Sequence, residues 1–110
     1  MVKHFDSQNF ENEVLNNKNF VLVDFFATWC GPCQMLSPVI DEISEDPELN
    51  LTVGKVDIDK CQDIAQNFGI QSIPTIILFK AGQEAKRIMG FVSKENLKEQ
   101  ILDCINQQNI

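Results

Sequence analysis

Cys30 and Cys33, in the run Ala27-Thr28-Trp29-Cys30-Gly31-Pro32-Cys33, are the side chains of this sequence best suited to chemistry. Two cysteines at this spacing serve as a dithiol that cycles with a disulfide, as half of a zinc site, or as a structural bridge. Zinc takes four ligands, usually including a second close pair, and the remaining candidates Cys61, Cys104 and His4 are isolated from one another. A bridge across so short a loop restrains little of the unfolded chain. Redox cycling is the favoured of the three readings, and no metal is expected.

Asp24 is the second candidate. It lies within the otherwise apolar run Phe20-Val21-Leu22-Val23-Asp24-Phe25-Phe26, where an unpaired carboxylate is costly and responds by raising its pKa. Alone, such a residue reads equally well as a hydrogen-bonded structural group. On the segment that delivers the cysteines it reads better as a proton acceptor for the more buried thiol. Ile73-Pro74-Thr75, directly before another apolar run, is a third signal, although a proline opening a strand ordinarily marks only a boundary.

The elements that must position these residues follow from hydrophobic periodicity. Phe20 to Ala27 predicts a buried strand, and beyond Cys33 the positions Leu36, Val39, Ile40 and Ile43 recur at helical spacing. The cysteines therefore sit at a strand-to-helix junction, where free backbone N–H groups and the positive end of the helix dipole favour thiolate over thiol. Pro38 falls inside this helix and predicts a kink. Val2 to Phe5 reads as a weak strand, followed by a helix that Asp6 or Ser7 caps, with Phe10, Val14 and Leu15 inward. Leu51 to Ile58 and Thr75 to Phe79 read as strands, and Gly82 marks a hairpin into Glu84 to Met89. Cys61, Ile64, Ala65 and Phe68 form a short helical stripe. A last helix, capped by Ser93, carries Leu97, Ile101, Leu102, Cys104 and Ile105. Strands interleaved with helices and closed by a hairpin predict an α/β layered domain with a mixed sheet.

At 110 residues without a repeat or linker, a single domain spanning 1–110 is expected, large enough to fold without staples. The 16 acidic against 9 basic residues give a net charge of −7, which argues against nucleic acid and anionic membranes as partners. The N-terminus lacks the apolar segment of a secretory signal, and no apolar stretch approaches the roughly 20 residues that span a bilayer. A soluble protein of a reducing compartment, the cytoplasm, is the expectation. Cys61 and Cys104 read as free cysteines on apolar stripes, Cys104 buried and Cys61 partly exposed near the start of its helix.

Taken together, these motifs make the chain resemble the thioredoxin family from end to end. Trp29-Cys30-Gly31-Pro32-Cys33 is similar to the family's active-site motif, and Asp24 stands where the family keeps a buried aspartate. Lys55, in Val53-Gly54-Lys55-Val56-Asp57, stands where it keeps a lysine near that carboxylate. Ile73-Pro74-Thr75 matches its cis-proline loop, Pro38 its helix kink and Gly90 its glycine beside the site. Gln34 and Phe26 depart from residues common in the family without touching the dithiol. The Gly31-Pro32 pair differs from the typical Cys-Pro-Tyr-Cys of glutaredoxins and Cys-Gly-His-Cys of disulfide isomerases, and the C-terminal Asn106-Gln107-Gln108-Asn109-Ile110 carries no retention tail.

The resemblance implies a thioredoxin fold, with a central mixed five-stranded β-sheet flanked by four α-helices, and a protein disulfide reductase. In it an exposed Cys30 attacks the target disulfide, a more buried Cys33 resolves the mixed disulfide with help from Asp24, and Lys55 tunes that carboxylate. Trp29, Gly31, Pro32, Ile73, Pro74, Gly90 and Phe91 would form a shallow rim for an extended substrate segment. No bound cofactor is implied. Reducing equivalents would come from NADPH through a flavin-containing thioredoxin reductase, and peroxiredoxins, ribonucleotide reductase and methionine sulfoxide reductase are the implied targets of a monomeric protein. The alternatives are a glutathione-linked oxidoreductase and a redox-independent binding subunit.

Overall fold

The structure, a computed structural model, describes residues 1–108. Asn109 and Ile110, the last two positions of the expected domain, lie outside the described residues. The order is β1 (Lys3–Phe5), a short π-helical segment (Glu11–Leu15), β2 (Phe20–Phe26), α1 (Gly31–Ser44), β3 (Thr52–Asp57), α2 (Gln62–Asn67), β4 (Thr75–Lys80), β5 (Gln83–Met89) and α3 (Lys94–Gln108). The strands form one five-stranded sheet in the order β1-β3-β2-β4-β5. β3 runs parallel to β1 and β2, while β4 runs antiparallel to β2 and β5. Parallel neighbours need a crossover, which α1 supplies between β2 and β3. The antiparallel pair β4–β5 needs only Ala81 and Gly82, whose φ values of 52° and 78° suit the twist of a tight hairpin.

Both faces of the sheet are covered, which is why β2 and β4 are apolar almost throughout. Leu22, Val53, Ile76 and Leu78 pack against Leu36 and Ile40 of α1 and Leu97 and Ile101 of α3. On the other face Val21, Val23, Phe25, Val56, Ile77 and Phe79 pack against Phe10, Val14 and Ile64. Gly54 sits where a Cβ would overlap the Phe5 ring, so the edge strand β1 closes tightly over β3.

Local capping follows the sequence. The Ser93 hydroxyl accepts from the Asn96 N–H at 3.2 Å, and the Asp6 carboxylate accepts from the N–H groups of Gln8 and Asn9. Asp6 caps the first of the four expected helices, which opens with Phe10 N–H to the Asp6 carbonyl at 3.0 Å and Glu13 N–H to the Asn9 carbonyl at 2.9 Å and closes with a wider π-type bond from the Asn16 N–H to the Glu11 carbonyl. α1 continues through Pro38, which supplies no N–H to the carbonyl one turn earlier. Beyond α1, the buried Asp46 carboxylate meets Lys98 at 2.8 Å and Lys94 at 3.4 Å, tying that loop to α3. Among the described residues no helix is long and apolar enough to cross a membrane.

Candidate active site

Cys30 occupies the N-cap of α1, with extended backbone (φ −88°, ψ 114°) between the turn that leaves β2 and the first helical residue. Its Sγ accepts the Cys33 N–H at 3.2 Å, doing for this helix what a serine or aspartate oxygen does at an ordinary cap. Pro32, in the first turn, has no N–H to leave unsatisfied. A negative sulfur at this position gains both a donor and the positive end of a long helix. The two cysteines are joined in a disulfide with Cα atoms 5.2 Å apart.

Cys30 is not the exposed member that the sequence reading expected. Its relative exposure is 5%, against 4% for Cys33. Both pack with Ala27 against Phe26, Ile58 and Ile73, and Cys30 Sγ lies 3.9 Å from the Ile73 carbonyl oxygen. Covering by the Ile73 loop, which comes from a distant part of the chain, is what sequence position alone does not convey.

That loop carries a cis Ile73–Pro74 peptide. Pro74 is buried and Ile73 half-buried, so of the expected rim these two give less surface than Gly31, Pro32, Trp29 and Phe91, which are exposed. Gly90, at φ 87°, donates its N–H to the Pro74 carbonyl at 2.8 Å, a conformation that a side chain would strain. Two exposed methionines missed by the sequence reading, Met35 on α1 and Met89 at the end of β5, add apolar surface. Met89 stands opposite Thr75 in the β4–β5 ladder, directly after Pro74.

On β2, the strand that leads to the cysteines, Asp24 is 1% exposed, and neither of its carboxylate oxygens has a hydrogen-bond partner. Burial pushes its pKa up to about 7, with the positive charge of Lys55 pulling the other way. Lys55 faces Asp24 across the β2–β3 ladder, as the resemblance implied. Its ammonium, however, donates to the Ser37 hydroxyl at 2.7 Å and lies 5.4 Å from the centre of the Phe26 ring. Ser37, on the turn of α1 after Cys33, was not singled out in the sequence, since a serine on a helix carries no signal by itself.

A cleft of about 670 Å³ is lined by His4, Phe26, Lys55, Asp57, Lys60 and Cys61 among others, and does not include Cys30 or Cys33. The exposed Trp29, Gly31, Pro32 and Phe91 offer open surface on which a partner can be laid. Among the described residues no group of three or more His, Cys, Asp or Glu side chains is placed to hold a metal ion.

The thioredoxin family model matches residues 1–103. A thioredoxin of Mycobacterium bovis is 46% identical over 101 residues, covering 92% of this chain and 87% of that protein. The chain belongs to the thioredoxin family. A thioredoxin of Pyropia yezoensis is 47% identical over 96 residues, covering 87% of this chain and 90% of the relative. A bifunctional thioredoxin reductase/thioredoxin of Mycobacterium leprae is 45% identical over 101 residues, of which this chain spans only 22% of the relative's length. As a thioredoxin-family protein the chain is a disulfide oxidoreductase, its Cys30–Cys33 pair is the redox-active centre, and protein disulfide reduction is its reaction.

Within this thioredoxin fold the two free cysteines exchange the environments expected of them. Cys61 is 4% exposed, packed among Phe5, Phe10 and Ile64, whereas Cys104 is only half-buried. Burial pushes the Cys61 thiol pKa up, and Asp63, Asp6 and Asp57 add to it against an opposing hydrogen bond from the Ser7 backbone. The other residue missed from sequence is Asp59, whose carboxylate accepts from the Trp29 indole at 2.8 Å. Its signal was its place just after the strand that runs beside β2.

Proposed function

We propose that this single-domain thioredoxin reduces protein disulfides through an ordered pair of exchanges. The Cys30 thiolate attacks one sulfur of the target disulfide, forming a mixed disulfide and releasing the other target sulfur as thiolate. Cys33 then passes its proton to the Asp24 carboxylate, attacks Cys30 Sγ, closes the Cys30–Cys33 disulfide and releases the second target thiolate. Two electrons leave the protein for the target. The observation that carries the assignment is the Cys30 sulfur capping α1 through the Cys33 N–H, because that donor and dipole favour thiolate at Cys30 over any other cysteine of the chain.

Asp24, buried and unpaired, has the proton affinity to exchange a proton with a thiol near neutral pH, and Lys55 tunes it. Trp29, Gly31, Pro32, Ile73, Pro74, Gly90 and Phe91 form the surface on which an extended target segment lies. No resident cofactor takes part in either exchange. The pair is re-reduced by a thioredoxin reductase, a partner suggested by the fused reductase of the Mycobacterium leprae relative, with NADPH as the electron source. Proteins that form a disulfide in their own cycle, such as peroxiredoxins, ribonucleotide reductase and methionine sulfoxide reductase, are the targets. The protein works as a monomer in the cytoplasm, where a glutathione-reduced environment matches this direction of electron flow.

Consumption of NADPH by the protein with a thioredoxin reductase and a disulfide-bonded protein substrate tests donor and reaction together. The Cys30→Ser, Cys33→Ser double variant is expected to support none. Turnover with glutathione and glutathione reductase in place of the thioredoxin reductase would point instead to a glutathione-linked enzyme.

A further inference from the structure

Lys55 and Asp24 lie on one row of the sheet, in the order His4, Lys55, Asp24, Ile76 across β1, β3, β2 and β4. That row belongs to the face covered by α1, since Leu22, one pleat from Asp24, and Val53, one pleat from Lys55, both pack against Leu36 and Ile40. An ammonium and a carboxylate so placed would ordinarily pair. Instead the Asp24 oxygens have no partner, and the Lys55 ammonium is 2.7 Å from Ser37 Oγ.

Ser37 follows Cys33 by one helical turn, on the same side of α1, so the resolving cysteine and the hydroxyl lie above one strip of sheet. We propose that Ser37 is a positioning residue of the disulfide exchange: by accepting the Lys55 ammonium it holds that charge on α1 and leaves the Asp24 carboxyl free to take and return the proton of Cys33. The inference rests on the reading of Asp24 as the proton acceptor.

The charged and titratable surroundings are few. Lys55 comes from β3, with His4 one strand beyond it on β1. β4 presents Ile76, and α1 presents Cys33 and Ser37. Asp57, the next residue on this face of β3, already accepts the Asp59 N–H at 3.0 Å. Without the Ser37 hydroxyl, the Asp24 carboxylate, which stands opposite Lys55 in the β2–β3 ladder and has no partner on either oxygen, is open to the ammonium. An opposite charge at contact distance lowers a carboxyl pKa by about 1–3. The hydroxyl thus keeps Asp24 protonatable near neutral pH, while a direct ion pair would keep it ionised.

The test is the pH titration of the Asp24 side-chain carboxyl, followed by carbon-13 NMR in the oxidised full-length protein, where neither active-site cysteine titrates. In Ser37→Ala the midpoint is expected to fall by about one pH unit or more. Ser37→Thr, which restores a hydroxyl, is expected to return it to the parent value, and Ser37→Ala combined with Lys55→Met is expected to abolish the fall. An unchanged or raised midpoint in Ser37→Ala overturns the proposal, and so does a fall that persists without Lys55. The pH profile of single-turnover disulfide reduction separates the two readings. If the Asp24 midpoint falls in Ser37→Ala while the rate profile stays in place, Ser37 controls the carboxyl as proposed, and it is the role of Asp24 as proton acceptor that fails.

Discussion

The indole of Trp29 donates its Nε1–H to Asp59 at 2.8 Å, although 69% of the tryptophan surface remains open to solvent. A large exposed side chain beside the redox pair is therefore held in one orientation by a carboxylate on the loop after β3. On the proposed docking surface, ordering it in advance would remove part of the entropy that a bound target must otherwise overcome. Asp59→Ala is expected to raise KM for a protein disulfide by about two- to fivefold with kcat little changed, the scale of one hydrogen bond of modest net strength. Steady-state kinetics with a protein substrate check this. A fall in kcat at unchanged KM would place Asp59 in the chemistry and not in the docking surface.

The proposed exchange divides the work of the cysteines by position relative to α1. Cys33→Ser leaves a nucleophile with no resolving partner and is expected to trap targets as mixed disulfides through Cys30. Cys30→Ser is expected to trap few, because Cys33 lies inside the helix and lacks the capping N–H that Cys30 enjoys. Non-reducing electrophoresis of the two variants after mixing with a disulfide-bonded protein reads the difference, and equal trapping would remove the assigned roles.

Asp24 makes a pH-dependent contribution whose sign follows from burial. Its folded pKa of about 7 stands above the ordinary 3.8, so folding favours the protonated carboxyl. Stability is complete below the ordinary value, declines as pH rises through the interval, and reaches its full loss above about 7, up to roughly 4 kcal/mol for a shift of this size. Asp24→Asn is therefore expected to melt several degrees above the parent at pH 8, with the gap closing toward pH 4. The same variant is expected to reduce disulfides more slowly and to lose the inflection near pH 7 from its rate profile. Thermal melts and single-turnover rates at several pH values supply both readings, and a variant that melts lower while reducing at the parent rate contradicts them.

Thiol labelling follows the observed burial of the two remaining cysteines. In the native oxidised protein, iodoacetamide at pH 8 is expected to modify Cys104 at least about tenfold faster than Cys61, whose thiol is covered and held in the neutral form by burial and nearby carboxylates. Denaturation is expected to bring the two rates together and to leave both cysteines titratable. Peptide mapping distinguishes the sites, and earlier labelling of Cys61 would contradict the packing.

What the sequence by itself determined was local. The apolar run through Phe25, the helical spacing of Leu36, Ile40 and Ile43, the Ser93 cap and the Gly82 turn each depend on neighbours a few residues away, and each appears where periodicity and capping chemistry put it. The same holds for the most informative placement of all, Cys30 at the start of α1, because a strand-to-helix junction is written in the change of period around it. The remainder was decided by which elements come to lie over which. Trp29 and Asp59 are 30 positions apart and Lys55 and Ser37 are 18 apart. Those contacts exist only because β3 enters the sheet beside β2 in one register while α1 docks on one face. The covering of Cys30 by the Ile73 loop is of the same kind. A helical stripe likewise tells which side of α3 faces inward but not how far the layer beneath extends, so Cys104 near its end stays half-buried. Cys61, in a position that read as peripheral, is enclosed by aromatic side chains from the beginning of the chain. Burial depends on the whole packed assembly, and that information resides in no single segment.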